Sequence, residues 1–164
     1  MQHRMRTHQL DRQQIDSLLD RAEVASLATI NADGTPYVTP VHFWYQEGAV
    51  YVHGLPAGQK LDNIKANPAV CLTVCEVKGL LLDPAGNPCD TNTSYQSVIV
   101  RGTASLLTDL GAKKTVLEGM VKKYTPDLSD RALPENMIKG TAVLKIRADA
   151  ATGKYYGQCD RSGN

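Results

Sequence analysis

The chain has 164 residues, with 18 Lys and Arg against 17 Asp and Glu and a formal net charge of +1. That length suits one domain with a real core, and the near-balance of charge argues against a broad nucleic-acid surface, which needs clustered basic residues. No stretch approaches the run of about 20 apolar residues that a membrane helix needs. The basic segment 1–8 lacks the apolar centre of a signal peptide, so a cytoplasmic protein with no nucleic-acid or membrane partner is expected. Four cysteines (Cys71, Cys75, Cys89 and Cys159) are few and irregularly spaced. In a reducing compartment they read as buried or idle thiols. Cys71 and Cys75 share one side of a strand, but Cys-x3-Cys without a second pair is a poor zinc site, so no metal is expected.

The first predicted element is a helix. Asp11 with Gln14 forms a capping box, and Ile15, Leu18, Leu19 and Ala22 make one apolar stripe. Two β-rich runs, 24–30 and 35–45, flank Asn31-Ala-Asp-Gly34 and read as a hairpin. A turn at Gln46-Glu-Gly48 leads into a third strand over 49–53, completing an early meander. Gly54-Leu-Pro-Ala-Gly58 is a loop, and 59–67 is a short helix that buries Leu61 and Ile64 and ends before Pro68.

A fourth strand covers 69–77, and the turn-rich Asp83-Pro-Ala-Gly-Asn-Pro88 makes 78–92 a loop. A fifth strand follows over 98–107. Residues 109–124 return to helix, with Val116, Leu117, Met120, Val121 and Tyr124 on one face. A polar loop is expected over 125–137, a last strand over 141–147 and an aperiodic tail over 150–164, while His3 and His8 read as tail residues. Six strands with helices between them lack the βαβα rhythm of a doubly wound fold. The pattern predicts one domain over 1–164, mainly β with peripheral helices, closed as a six-stranded antiparallel barrel.

Three stretches carry chemistry. In His53-Gly-Leu-Pro-Ala-Gly-Gln-Lys60-Leu-Asp-Asn63 a strand ends, glycines let the backbone approach a ligand, and Lys60 opens a helix. A helix start with a lysine suits a phosphate. The order Gly-x3-Gly-x-Lys is not a Walker loop, and no Gly-x-Gly-x-x-Gly occurs. By itself the stretch also reads as a surface loop ending in a solvated lysine. In Tyr37-Val-Thr-Pro-Val41-His42, Pro40 marks a sheet edge or bulge, where exposed backbone groups can bind a flat ring. Ser94-Tyr95-Gln96-Ser97-Val98 adds hydroxyls and an amide at a strand start.

Taken in order, these stretches resemble the FMN-binding split-barrel superfamily, and within it the nitroimidazole-resistance (Nim) type flavoproteins related to pyridoxamine 5′-phosphate oxidase. The resemblance covers roughly residues 10–155. It rests on Ala28-Thr-Ile-Asn-Ala-Asp-Gly-Thr-Pro-Tyr-Val-Thr-Pro-Val41, on Tyr51-Val-His-Gly-x3-Gly-x-Lys-Leu-Asp-Asn-Ile64 with Asn67-Pro68, on Cys89 with Tyr95-x-Ser-Val-Ile99, and on Thr152-Gly-Lys154. It implies a six-stranded split barrel and a homodimer with FMN in clefts at the interface. It also implies Lys60 and Ser97 at the phosphate, and the backbone of Val38, Thr39, Pro40 and Val41 along the isoalloxazine, with Gly54 and Asn63 nearby. Tyr95 and Gln96 belong to the same cofactor set, although many relatives carry a basic residue where Gln96 stands.

His53 aligns with a histidine at the flavin edge and is the expected catalytic, proton-donating group; His42 lies close enough in sequence to touch the flavin as well. The implied function is an FMN-dependent oxidoreductase acting on a small acceptor, such as a nitroimidazole. The alternatives are a non-catalytic flavin- or haem-binding protein, with His53 or His42 as axial ligand, and a pyridoxamine-phosphate-oxidase-like enzyme. Gly153-Lys-Tyr-Tyr-Gly-Gln158 lacks that enzyme's arginine-rich tail.

Overall fold

The computed structural model describes residues 4–157. After a short helix α1 (Arg4–Thr7), helix α2 (Arg12–Arg21) opens on the expected box. The Asp11 carboxylate accepts from the Gln14 N–H at 2.8 Å, and the Gln14 side chain accepts from the Asp11 N–H at 2.9 Å. The two bonds satisfy donors that a helix start otherwise leaves open, and Ile15, Leu18 and Leu19 are buried beneath the helix. Asp11→Ala should therefore lower stability by about 1 kcal/mol, read as a shift in the urea midpoint at unchanged m.

Strands β1 (Val24–Ile30) and β2 (Pro36–His42) pair as the expected hairpin. The run expected over 35–45 then breaks. Phe43, fully buried, turns inward, and β3 (Trp44–Gln46) starts a second hairpin with β4 (Ala49–Gly54). The early meander is thus corrected: β4 lies between β3 and β7 (Ala142–Tyr156), not beside β2. Burying one large aromatic at position 43 outweighs continuing the strand, because the ring removes a large apolar area from water.

The sheet has seven antiparallel strands in the order β2-β1-β5-β6-β7-β4-β3, one more than expected because of that break. Its two edge strands, β2 and β3, are separated in the chain by Phe43 alone. The sheet must therefore curl until its edges approach, giving a barrel with one seam left split. Leu27, Val50, Leu72, Val98, Leu144 and Ile146 fill the interior.

Strands β5 (Ala69–Leu81) and β6 (Asn92–Leu106) run further than the sequence suggests. Pairing continues to Leu81 opposite Asn92, so the start of the loop expected over 78–92 and its last residue belong to an antiparallel arm, with Val77 and Leu80 exposed, while 82–91 remains a loop with a 3-10 turn at Pro88–Asp90. Turn-forming Asp83-Pro-Ala-Gly only closes its tip. The expected tail is corrected likewise: β7 stays paired with β6 as far as Tyr156 opposite Tyr95. His8 is not a loose end, since its carbonyl accepts from the Tyr155 N–H at 3.0 Å and its ring packs edge-on against Tyr155. His3 and Cys159 lie outside the described residues.

Cys71, Cys75 and Cys89 are free thiols, and none is buried. Cys71 and Cys75 sit on the outer face of β5, which alternates with the buried Val70, Leu72 and Val74.

Helix α3 (Gln59–Ala66) follows β4, and α4 (Leu110–Tyr124) packs across β3. Gly119 of α4 lies under the Trp44 ring, where a Cβ would come within 2.5 Å of the indole. The end of the loop expected over 125–137 is helical as well, in α5 (Glu135–Gly140). Lys113 of α4, buried, holds that helix by donating from Nζ to the Lys139 carbonyl at 3.1 Å. Among the described residues no helix is long and apolar enough to cross a membrane.

Candidate functional site

The seam places β2 opposite the end of β4. β4 stops at Gly54 because the segment that follows turns at Pro56 and Gly58. Gly58 has φ +136°, a backbone conformation that L side chains rarely adopt, and it directs the chain into α3. No side chain caps the first turn of this helix; the Leu61 and Asp62 N–H groups donate to the Gly58 carbonyl, which leaves those of Gln59 and Lys60 to face a ligand with negative charge. The helix is docked by Leu61, Ile64 and Asn63, all buried. Asn63 Nδ2 donates to Thr29 Oγ1 at 3.0 Å and to Asn31 Oδ1 at 2.8 Å, and Gln59 Nε2 donates to Asn63 Oδ1 at 2.9 Å. Asn63 thus fixes the helix on the β1 hairpin and does not line the cavity beside it.

That cavity, of about 240 Å³, is lined by Tyr37 and Thr39 from β2, His53 and Gly54 from β4, Lys60 from α3, and Ala142 from β7. Lys60 Nζ lies over Gly54, where a Cβ would stand 4.0 Å away. Among the described residues Lys60 makes no hydrogen bond or ion pair, and burial alone pushes its ammonium below the ordinary lysine value. A half-buried cation without a carboxylate is costly to hold, and an anion would offset that cost. Thr39 Oγ1, on the same wall, is buried with no hydrogen-bond partner; buried hydroxyls are nearly always paired.

His53 has no hydrogen-bonding partner among the described residues either. Burial first, then the nearby His42 and Lys60, hold its pKa below the ordinary histidine value. The ring is therefore neutral at pH 7, with one N–H to donate.

The remaining residues of the expected cofactor set are placed elsewhere. Val38 and Pro40 point away from the cavity on the exposed side of β2, and Val41 enters the core. β2 pairs only with β1, so one row of its backbone groups is left unpaired, as the proline suggested. Tyr95, Gln96 and Ser97 stand at the far end of β6. Gln96 is buried and accepts from Arg21 Nη2 at 2.6 Å, and Arg21 also pairs with Glu76 at 2.8 Å. Ser97 lines a separate cavity of about 260 Å³ with Gln9, Ile99 and Lys154. Leu106, not Ser97, faces Leu144 beside the Lys60 cavity. At roughly 3.3 Å per residue the strand from Ser97 to Leu106 covers about 30 Å. One chain therefore holds two separate clusters.

Sequence reasoning missed Tyr37, Ala142 and Leu144 as cavity walls, and Tyr124 stacked on His42 with ring centroids 4.5 Å apart. These contacts join distant strands and helices, and no local pattern announces them. Among the described residues no group of three or more His, Cys, Asp or Glu could hold a metal ion.

Comparison with known proteins places this geometry in a family. No curated protein matches the sequence. A candidate 5-nitroimidazole antibiotic resistance protein from Bacteroides thetaiotaomicron VPI-5482 is 26% identical, with a TM-score of 0.77 over 90% of this chain and 86% of that one. The flavocytochrome Anf3 from Azotobacter vinelandii is 28% identical, with a TM-score of 0.79 over 90% of this chain and 68% of that one. The FAD and heme binding protein from Mycobacterium smegmatis shares the fold at 21% identity, with a TM-score of 0.82 over 94% of this chain and 77% of that one. The family model described as pyridoxamine 5′-phosphate oxidase matches residues 11–155, nearly the whole barrel, and the chain belongs to that family.

Proposed function

We propose that the protein is an FMN-dependent oxidoreductase that works as a homodimer and passes electrons from a donor to a small acceptor, a nitro-substituted ring among them. The observation that carries this reading is the half-buried, unpaired Lys60 at the uncapped start of α3, in one cavity with His53 and the unpartnered Thr39 Oγ1. These residues fit the group: Lys60 and the first N–H groups of α3 would hold its phosphate. Thr39 Oγ1 and the open backbone row of β2 at 38–41 would meet the polar edge of its ring. Gly54 leaves room for the lysine, and Asn63 keeps the helix in place. When bound, FMN supplies the redox chemistry. The neutral His53 would donate a hydrogen bond from its N–H to the acceptor atom that takes up electrons, and solvent would supply the proton.

Two features support the dimer. The β5–β6 arm exposes Val77, Leu80 and Leu82, and exposed apolar patches mark association surfaces. The cluster of Tyr95, Gln96 and Ser97 is also too far from Lys60 to share a ligand within one chain, whereas a second copy can bring its own cluster to that cavity. The similarity to an antibiotic resistance protein and to a flavocytochrome favours a flavin and a small acceptor.

An absorbance spectrum of cell-purified protein, and of the supernatant after heat denaturation, tests the reading. Flavin peaks, with about one FMN released per chain, are expected, and chromatography of the supernatant separates FMN from FAD. A colourless protein that fails to bind added FMN or FAD overturns the reading, as does a Soret band with no released flavin. Flavin-loaded protein that reduces no nitroimidazole with any donor removes the nitro-group acceptor.

A further inference from the structure

His53 borders a second cavity that the reading above leaves unused. It measures about 300 Å³, lies between α4 and α5, and shares His53 with the Lys60 cavity. Its floor is the buried Met120 and Ile138, its sides are Leu117, Val121 and Leu133, and the exposed Met137 stands at its mouth. This volume is at the low end of ligand pockets, enough for one ring or a fused pair.

The polar groups around it are mostly committed. Tyr124 Oη accepts from the Phe43 N–H at 2.9 Å and lies 2.6 Å and 2.8 Å from the carbonyl oxygens of Glu23 and Phe43. The Thr125 and Thr141 hydroxyls donate to the carbonyls of Val121 and Met137. The imidazoles of His42 and His53 remain, and neither has a hydrogen-bond partner among the described residues. His42, stacked nearly parallel on Tyr124, gives the pocket a flat aromatic wall.

We propose that this cavity is a second ligand site, for an uncharged, planar aromatic or heteroaromatic ring that presents a hydrogen-bond acceptor to His53. The apolar floor favours the ring and penalises a charge, the stacked His42–Tyr124 pair favours flatness, and His53 supplies a free donor that orients it. The site rests on the reading above only in making this ring the electron acceptor, because His53 is shared by both cavities.

Methionine-methyl NMR tests it without reference to activity. Two of the four methionines, Met120 and Met137, line the cavity, so their methyl resonances report its occupancy. Acetophenone is the acceptor-bearing ring, toluene the ring without an acceptor, and benzoate the charged ring. Acetophenone should move both methyl resonances saturably and bind about fivefold more tightly than toluene, the value of one hydrogen bond, with benzoate weakest. His53→Leu should bring acetophenone down to toluene, and Leu117→Trp should abolish both. Met137→Trp, at an exposed position that tolerates a larger side chain, should block entry and is read at Met120.

Unsaturable shifts, benzoate binding as tightly as acetophenone, or full binding in both tryptophan variants would overturn the proposal. Titrations are run with and without added FMN. Ring binding by a protein that takes no flavin sinks the flavin reading and leaves this site standing; flavin binding with no ring binding does the reverse.

Discussion

Lys60→Met should weaken flavin binding by about 10- to 100-fold while leaving the flavin-free protein at least as stable as before. The first effect follows from the loss of a charge-assisted bond to phosphate, worth about 1.5–3 kcal/mol, with each 1.4 kcal/mol a factor of about ten in Kd. The second has the opposite sign. In the flavin-free chain the ammonium is half-buried beside Gly54 and His53, with no carboxylate to offset its lost hydration. A neutral side chain of similar length relieves that cost and some of the positive field on His53.

The measurement is the melting temperature with and without FMN, since a ligand that binds only the folded state raises it in proportion to affinity. The flavin-induced shift should shrink in Lys60→Met while the flavin-free melting temperature holds or rises. Lys65→Met is the control, because Lys65 is exposed on the same helix and pairs only with Asp62 at 3.6 Å; it should keep its affinity within about twofold. Unchanged flavin affinity in Lys60→Met would remove Lys60 from the phosphate site.

Much of this cavity was legible because its parts are local. The Gly-x3-Gly-x-Lys spacing puts a strand end, a turn and a helix start within eight residues, and each has its own signature: a buried alternation up to Val52, a glycine at the positive φ of Gly58, and Leu61 and Ile64 on one face. Asn63, expected beside the flavin, spends its amide on Thr29 and Asn31 and does not line the cavity. Pro40 signalled an edge, and β2 is one.

What was not legible depended on pairing over long separations. Residues 148–156 have no hydrophobic period of their own, because half-buried positions replace the alternation of a strand with one wet face. They become a strand because β6 offers an unbroken ladder beside them. Residues 78–81 behave likewise, as an exposed arm held by its partner strand and not by a core. The break at Phe43 was hidden for another reason: a run of β-formers from 36 to 46 looks the same whether it stays in one strand or passes a residue through the barrel interior. The α4–α5 cavity had no local signature, since its walls come from separate elements.

Gly102→Ala is expected to destabilise the fold by about 3 kcal/mol or more, at the upper end of the cost of overpacking, and to lower the melting temperature by roughly 6–12 °C. Gly102 sits where the β6–β7 register shifts: Arg101 faces Ala150 and Gly102 faces Ala148, which leaves Asp149 as the extra residue of a bulge on β7. A Cβ at position 102 would lie 2.1 Å from the Arg147 carbonyl oxygen, 3.0 Å from its carbon and 3.3 Å from Ala148 Cα. All three are backbone atoms, so no rotamer change relieves the clash and the strands must separate. Ladder bonds would be lost on both sides of the bulge.

The position also lies between the two clusters of the proposed cofactor site. β7 carries Ala142 and Leu144 at the Lys60 cavity and Lys154 beside Ser97, so a shift at the bulge moves one relative to the other. Flavin affinity should fall along with stability. Gly140→Ala serves as the control, since a Cβ there meets nothing within 4 Å and alanine in a helix gains about 0.4–1 kcal/mol over glycine. A Gly102→Ala protein that melts within about 2 °C of the parent would mean that β6 and β7 do not approach this closely at the bulge, and the long paired β7 that links the clusters would have to be redrawn.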